Sequence, residues 1–286
     1  MKQPHKTAVC LILILTLLSA APIYISAGES DRIQFCGNLQ ELSEYVLQLV
    51  SKREQYVSFA VPRSMPEADM SASELLRRIL QQDRGYNRWN HKGGSVKKTI
   101  KSDRVVFEYT LTYYITREQD EAARRLASGL VEKWDLENLS GREKIDVLKT
   151  YISANWRYDD TLTNMNAYLT LTRKTGTCLG LTMATQLLLD EMGIQSHTIH
   201  GKLAKTGVVH IRLLVKLGDL WYTLDPTPLA SGKPDLSEYL KQEYGKEFIP
   251  AGEYLTDEFK NSYPMTPGDT EKAQKITEDK KAVRPV

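Results

Sequence analysis

Cysteine is scarce in this chain, three in 286 residues, and that scarcity excludes a disulfide-built scaffold. No excess of one charge is available either. There are 38 basic and 36 acidic residues, and without Lys2 and Lys6 of the leader the formal balance is zero. Such a surface gives no ground for nucleic acid or a strongly anionic partner. Beyond the leader, no run approaches the ~20 apolar residues of a membrane-spanning helix. Internal repeats are missing. So are the close ligand pairs from which zinc sites are usually built, and neither a metal nor a cofactor is expected.

What is present begins with a targeting segment. Lys2 and Lys6 precede an almost unbroken apolar run from Ala8 to Ala21, and the small residues Ser26, Ala27 and Gly28 follow. Residues 1–27 read as a signal peptide, or as an anchor if they stay attached. Either way the protein is expected to be secreted or extracytoplasmic, touching membrane only through this segment. The remaining residues, about 260, suffice for one large or two small domains. Cys10 belongs to the leader, so only Cys36 and Cys178 remain. They could form one disulfide; the preferred reading keeps Cys178 as a free, working thiol.

Residues 28–135 read as a small layered α/β domain. Leu39, Leu42, Val46, Leu49 and Val50 recur at helical spacing, and Tyr56 to Val61 alternates like a strand. A second helix, capped by Ser73, carries Leu75, Leu76, Ile79 and Leu80. A loop is expected from His91 through Gly94, then strands over 96–101 and 105–115 and a closing helix over about 117–134. Nothing in this half looks catalytic.

Residues 136–263 read differently. Ser140 and Glu143 have capping-box spacing ahead of a helix that runs to about Asn155. A loop rich in Thr and Asn follows, in which Asp159 and Asp160 read as a solvated turn rather than a calcium cluster. The next helix starts at Cys178 and ends at Gly193, placed as a C′ glycine. Strands are expected over 196–203, 208–217 and 220–224, with Trp221 and Tyr222 as packing residues. Residues 264–286 lack apolar periodicity and read as a disordered tail.

Cys178 lies in Thr175-Gly176-Thr177-Cys178-Leu179-Gly180, at a helix start. There unpaired N–H groups and the helix dipole favour a thiolate. Gly176 and Gly180 fit a turn that a substrate backbone must approach closely. A two-residue turn at Gly218-Asp219 would pair Leu217 with Leu220, which puts His210 and Asp225 diagonally on one sheet face. A four-residue loop at 204–207 would pair His200 with Ile211, turning His200 away, and His197 would lie too far along the sheet. A zinc site from Cys178, His197, His200 and Asp225 is the weaker alternative.

The run Gly176-Thr177-Cys178-Leu179-Gly180, then Leu189-Asp190-Glu191-Met192-Gly193-Ile194, Gly201, His210 and Trp221-Tyr222-Thr223-Leu224-Asp225-Pro226-Thr227 resembles the transglutaminase-like core of papain-fold cysteine enzymes. Upstream, Asn155-Trp156-Arg157-Tyr158-Asp159 is similar to the segment preceding that family's nucleophile, and the exported start is similar to its secreted bacterial members. The resemblance covers about 140–227. It implies an α+β, papain-like transglutaminase-type core behind the small α/β domain. Cys178 would be the nucleophile, His210 the base and then acid, and Asp225 the group that orients His210. The implied reaction is acyl transfer through a thioester on protein or cell-wall peptide amides, with the N–H of Cys178 as one oxyanion donor. Asn155, Trp156 and Tyr158 are candidates for the other donor by position. The family often has His-Ala-Trp where this chain has His210-Ile211-Arg212. On the register above Arg212 faces Asp225 and could pair with it, either locking it in place or weakening its hold on His210, and the latter would favour the alternative of a binding module without turnover.

Overall fold

The computed structural model of the chain describes residues 33–232, 240–241 and 243–265. The expected targeting segment, residues 1–27, and the expected tail from 266 onward lie outside these residues. Among the described residues no helix is long and apolar enough to cross a membrane.

The first layer is built from β1 (Gln34–Phe35), α1 (Leu39–Ser51), β2 (Tyr56–Pro62), α2 (Ala72–Leu80), α3 (Tyr86–Asn90), β3 (His91–Ile100) and β4 (Arg104–Tyr113). Its strands lie in the order β1-β2-β4-β3. Leu42, Val46 and Val50 of α1 and Leu75 and Ile79 of α2 bury against Phe59, Phe107 and Tyr109. The cap of α2 is Ser71, not Ser73, and its side chain accepts from the Glu74 N–H. That choice places an acidic residue in the first turn, where the helix dipole favours it. The expected loop at His91 is also corrected, since β3 starts there and bulges between His91 and Gly93. A Cβ on Gly94 would sit 2.0 Å from the Thr110 carbonyl oxygen. The glycine therefore serves a close strand approach rather than a turn.

Thr116 and Gln119 form a capping box at the head of α4 (Arg117–Val131). Ala123 and Ala127 turn this helix towards the second core instead of the first sheet. The Arg53 guanidinium, 3.1 Å from the Asp120 carboxylate, joins the two regions, and the Tyr86 hydroxyl donates to the same carboxylate at 2.6 Å. The expected capping box of Ser140 and Glu143 opens α5 (Gly141–Asn155). Next, β5 (Arg157–Tyr158) pairs in parallel with β6 (Thr175–Gly176). Between them lies α6 (Ala167–Arg173), where a plain loop was expected. Its sequence, AYLTLTR, is short and Thr-rich, so its helicity rests on the Asn166 cap and on burial of Ala167, Thr170 and Leu171.

The central element is α7 (Cys178–Glu191), buried from Gly180 through Leu189. Gly193 follows with φ +73°, as a helix-terminating glycine requires. The second sheet comprises β7 (Ser196–Leu203), β8 (Val209–Leu217) and β9 (Leu220–Leu224). Leu217 pairs with Leu220 and His200 with Ile211, the registers read from the turns. After α8 (Pro226–Ala230), β10 (Leu240–Lys241) and β11 (Phe248–Pro250) extend this sheet to the order β10-β9-β8-β7-β11, and α9 (Asp257–Ser262) follows. Neither added strand was expected. Gly201 is what admits β11, because a Cβ there would meet the Ile249 carbonyl oxygen at 2.1 Å. The start of the expected tail is packed: Trp221 N–H donates to Pro264 C=O at 2.9 Å, and Met265 joins the cluster around Trp221.

Candidate active site

Cys178 is the first residue of α7, and the Thr177 side chain caps the helix by accepting from the Gly180 N–H at 3.3 Å. The two flanking glycines are explained by the protein's own packing, not by a substrate's backbone. A Cβ on Gly180 would lie 2.4 Å from the Asn164 carbonyl oxygen, and one on Gly176 would lie 2.5 Å from Thr170 Oγ1.

His210 enters from the start of β8, opposite Gly201. Its Nε2 donates to Asp225 Oδ2 at 2.6 Å, and the ring lies within electrostatic reach of Cys178. With Nε2 committed to the carboxylate, Nδ1 is the nitrogen left for the thiol. The β8–β9 ladder ends at Leu213 and Leu224, after which Pro226 turns the chain into α8. Asp225 caps that helix, and its Oδ1 accepts the Thr227 N–H at 2.9 Å. Both carboxylate oxygens are thereby fixed. Burial alone would pull the His210 imidazole down, but hydrogen bonds and charge from Asp225 and Cys178 outweigh it and lift it to about 9. The arrangement favours imidazolium beside sulfur at neutral pH.

Arg212 does not pair with Asp225 as its register position allowed. Its guanidinium donates to the Tyr244 carbonyl, lies 3.7 Å from Glu247 Oε1 and stacks 3.7 Å from the centre of the Phe248 ring. Burial lowers it to about 10 against the opposing charges of Asp225 and Glu247, so it stays a cation at neutral pH. The unexpected β11 supplies Phe248, with Glu247 just before it, and the arginine is turned towards them.

The remaining histidines and the second thiol lie elsewhere. His197 Nδ1 meets the Tyr263 hydroxyl at 2.9 Å, and burial lowers this imidazole to about 4. His200 meets the Tyr254 hydroxyl at 3.1 Å and Glu253 at 3.7 Å. The four residues of the zinc alternative are not brought together. Among the described residues no group of three or more His, Cys, Asp or Glu could hold a metal ion. Cys36 and Cys178 are both free, and Cys36 is buried and pushed up to about 11 by that burial and by Glu41.

Of the expected solvated pair, Asp160 is exposed but Asp159 is buried. Its carboxylate accepts from the N–H and hydroxyl of Thr161, the N–H and hydroxyl of Thr163, and the N–H of Asn164, at 2.6–3.1 Å. The Thr161 hydroxyl first, and then the Asn164 amide, hold it far below the usual carboxylate range. Asn164 passes this order on, because its carbonyl accepts the Thr177 N–H at 3.0 Å. Sequence reasoning missed this cradle, although Asp-x-Thr-x-Thr-Asn is a side-chain-to-backbone turn signal. Of the three oxyanion candidates, Asn155 is exposed and donates to Tyr151, and Trp156 is fully buried. Tyr158 lies within electrostatic reach of Cys178; burial and then the Cys178 charge push its phenol up. Beside this turn, Leu179, Trp89, Val96 and Tyr114 line a half-open cavity of about 520 Å³.

No family model matches the chain, and no curated protein matches it. Among solved structures it is similar to a TGase (TM-score 0.35, 15% identity, 68% of this chain and 59% of the other). It is also similar to a candidate cysteine protease from Cytophaga hutchinsonii (TM-score 0.32, 14% identity, 48% and 63%). A third is a candidate protease from Parabacteroides distasonis (TM-score 0.26, 11% identity, 62% and 43%). The chain spans less than two thirds of the length of each. Likenesses of this size leave the site to be read from its own geometry.

Proposed function

We propose that this chain is an exported thiol-dependent hydrolase or acyltransferase of the transglutaminase-like type, acting on protein or cell-wall peptide amides. The observation that carries the reading is the 2.6 Å His210–Asp225 pair within electrostatic reach of Cys178, the first residue of α7. In this reading 28–135 is an N-terminal domain and 136–263 the catalytic core. The binding-module alternative drew its support from Arg212, and that guanidinium is committed to Tyr244 and Glu247.

The chemistry follows from where the proton sits. The Cys178 thiolate attacks the amide carbonyl, a C–S bond forms, and charge moves to oxygen. In this reading the Cys178 N–H and the Tyr158 hydroxyl donate to it. The His210 imidazolium then gives its proton to the leaving nitrogen, the C–N bond breaks, and a thioester remains. Neutral His210 next takes a proton from water or an amine, which attacks the thioester and releases the thiolate. Asp225 holds the ring orientation through both steps.

The test is iodoacetamide alkylation across pH, with peptide mass spectrometry separating Cys178 from Cys36 and a His210→Ala control. Cys178 is expected to label faster than free cysteine at pH 6.5, and to lose that advantage without His210. Labelling no faster than free cysteine would sink the proposal.

A further inference from the structure

Among the described residues four non-glycine residues have positive φ: Arg53 (59°), Arg84 (63°), Leu162 (58°) and Lys174 (60°). An L side chain is disfavoured there, and such residues persist only where the surroundings enforce them. Three of the four carry polar ends with partners. Arg53 pairs with Asp120, Arg84 with Asp190, and Lys174 donates to the Tyr151 hydroxyl at 3.0 Å. Leu162 can make no such bond, and the residue is 54% exposed.

The loop that enforces this conformation is tied to the nucleophile's turn at both ends. Asp159 N–H donates to the Gly176 carbonyl and Thr177 N–H to the Asn164 carbonyl, each at 3.0 Å. Between those anchors the Asp159 carboxylate gathers Thr161, Thr163 and Asn164, and the Leu162 N–H donates to the Asp159 carbonyl at 3.2 Å. Leu162 is two residues from Asn164, so its Cα lies within ~7 Å of that anchor. On the other strand of the site, Val208 and Val209 are 57% and 62% exposed immediately before His210. Exposed apolar side chains therefore stand on the loop bonded to residues 176 and 177, next to Cys178 in sequence, and on the segment just before His210, the first of them held in a disfavoured conformation.

We infer that Leu162 is a specificity residue, presented by the Asp159 loop to an apolar side chain next to the reacting amide of a peptide acyl donor. The inference rests on the acyl-transfer reading above. The Asp159 cradle supplies the rigidity, and the left-handed backbone turns the leucine to solvent where a substrate can cover it. Covering the exposed half of one leucine corresponds to about a five- to tenfold preference in rate for an apolar over a charged neighbour.

The experiment uses the full chain and two peptidyl acyloxymethyl ketones that differ only in leucine or glutamate beside the reactive carbon. The rate of Cys178 modification by each is divided by the iodoacetamide rate of the same variant. The leucine probe is expected to be about fivefold faster or better in the parent chain. In Leu162→Gly that preference falls to near unity while thermal stability rises, because glycine accepts φ near +58° without strain. Leu162→Asp should reverse the preference. A preference that is absent in the parent chain, or unchanged within about twofold in both variants, overturns the inference alone if iodoacetamide still labels Cys178 rapidly. Slow labelling by all three reagents overturns the acyl-transfer reading and this inference with it.

Discussion

Asp225→Asn removes the charge that holds His210 while leaving a carbonyl oxygen for the Thr227 N–H. In the parent protein His210 is lifted to about 9, against ~6.5 for an ordinary imidazole. The gap corresponds to about 3 kcal/mol at 1.36 kcal/mol per pH unit. This is an upper value for Asp225, because Cys178 shares in the lift. With the carboxylate gone, burial acts against the imidazolium with only the sulfur opposing it. If the ring returns to ~6.5, the protonated fraction at pH 7.5 falls from nearly all to roughly a tenth. Alkylation of Cys178 at that pH should slow about tenfold, and the two proteins should converge above pH ~9. Stability follows the same linkage. A group raised on folding contributes fully below its unfolded value, here ~6.5, and the contribution is lost as pH rises through about 9. Urea unfolding should therefore show the parent chain more stable than the variant by up to about 3 kcal/mol at pH 6, with the difference shrinking towards pH 9. An asparagine variant that kept the parent pH–rate profile and showed no pH-dependent stability difference would refute this account of His210.

Gly180→Ala places a methyl 2.4 Å from the Asn164 carbonyl oxygen. It should cost about 1–3 kcal/mol and slow Cys178 alkylation with the circular dichroism spectrum preserved. Asp120→Ala strips the partner from Arg53, whose side chain is 2% exposed. A loss of about 3–5 kcal/mol in urea unfolding is expected, whereas the apolar double replacement Arg53→Met with Asp120→Leu should recover most of it. Additive losses would contradict that. Asp159→Asn puts an amide nitrogen where N–H groups now donate, so hydrogen exchange at Thr161, Thr163 and Asn164 should quicken together; unchanged exchange would show that the carboxylate does not order the loop.

The registers of β7, β8 and β9 were legible because a two-residue turn and the period of two in a strand leave little freedom. The helix from Cys178 was legible because its cap, apolar face and terminal glycine agree. Positions 93 and 94 were misread because a glycine pair signals a turn locally, yet here it admits the neighbouring strand at Thr110. Ser71 and Ser73 are both good caps, and only the placement of Glu74 separates them. The Asp159 cradle carried a local signal that was read as a solvated turn, since five donors converging on one carboxylate is a property of the folded loop.

The sequence by itself determined the order and spacing of Cys178, His210 and Asp225, and the strand pairing that brings the last two near each other. These follow from signals within a few residues of each site. The tertiary structure decided what surrounds them. It turned Arg212 away from Asp225 towards Tyr244 and Glu247, closed the Gly180 turn on Asn164, laid β11 against Gly201, and held Leu162 at positive φ in a loop bonded to residues 176 and 177. Each of these joins segments whose meeting depends on the packing of the whole core, and no local pattern of residues encodes it.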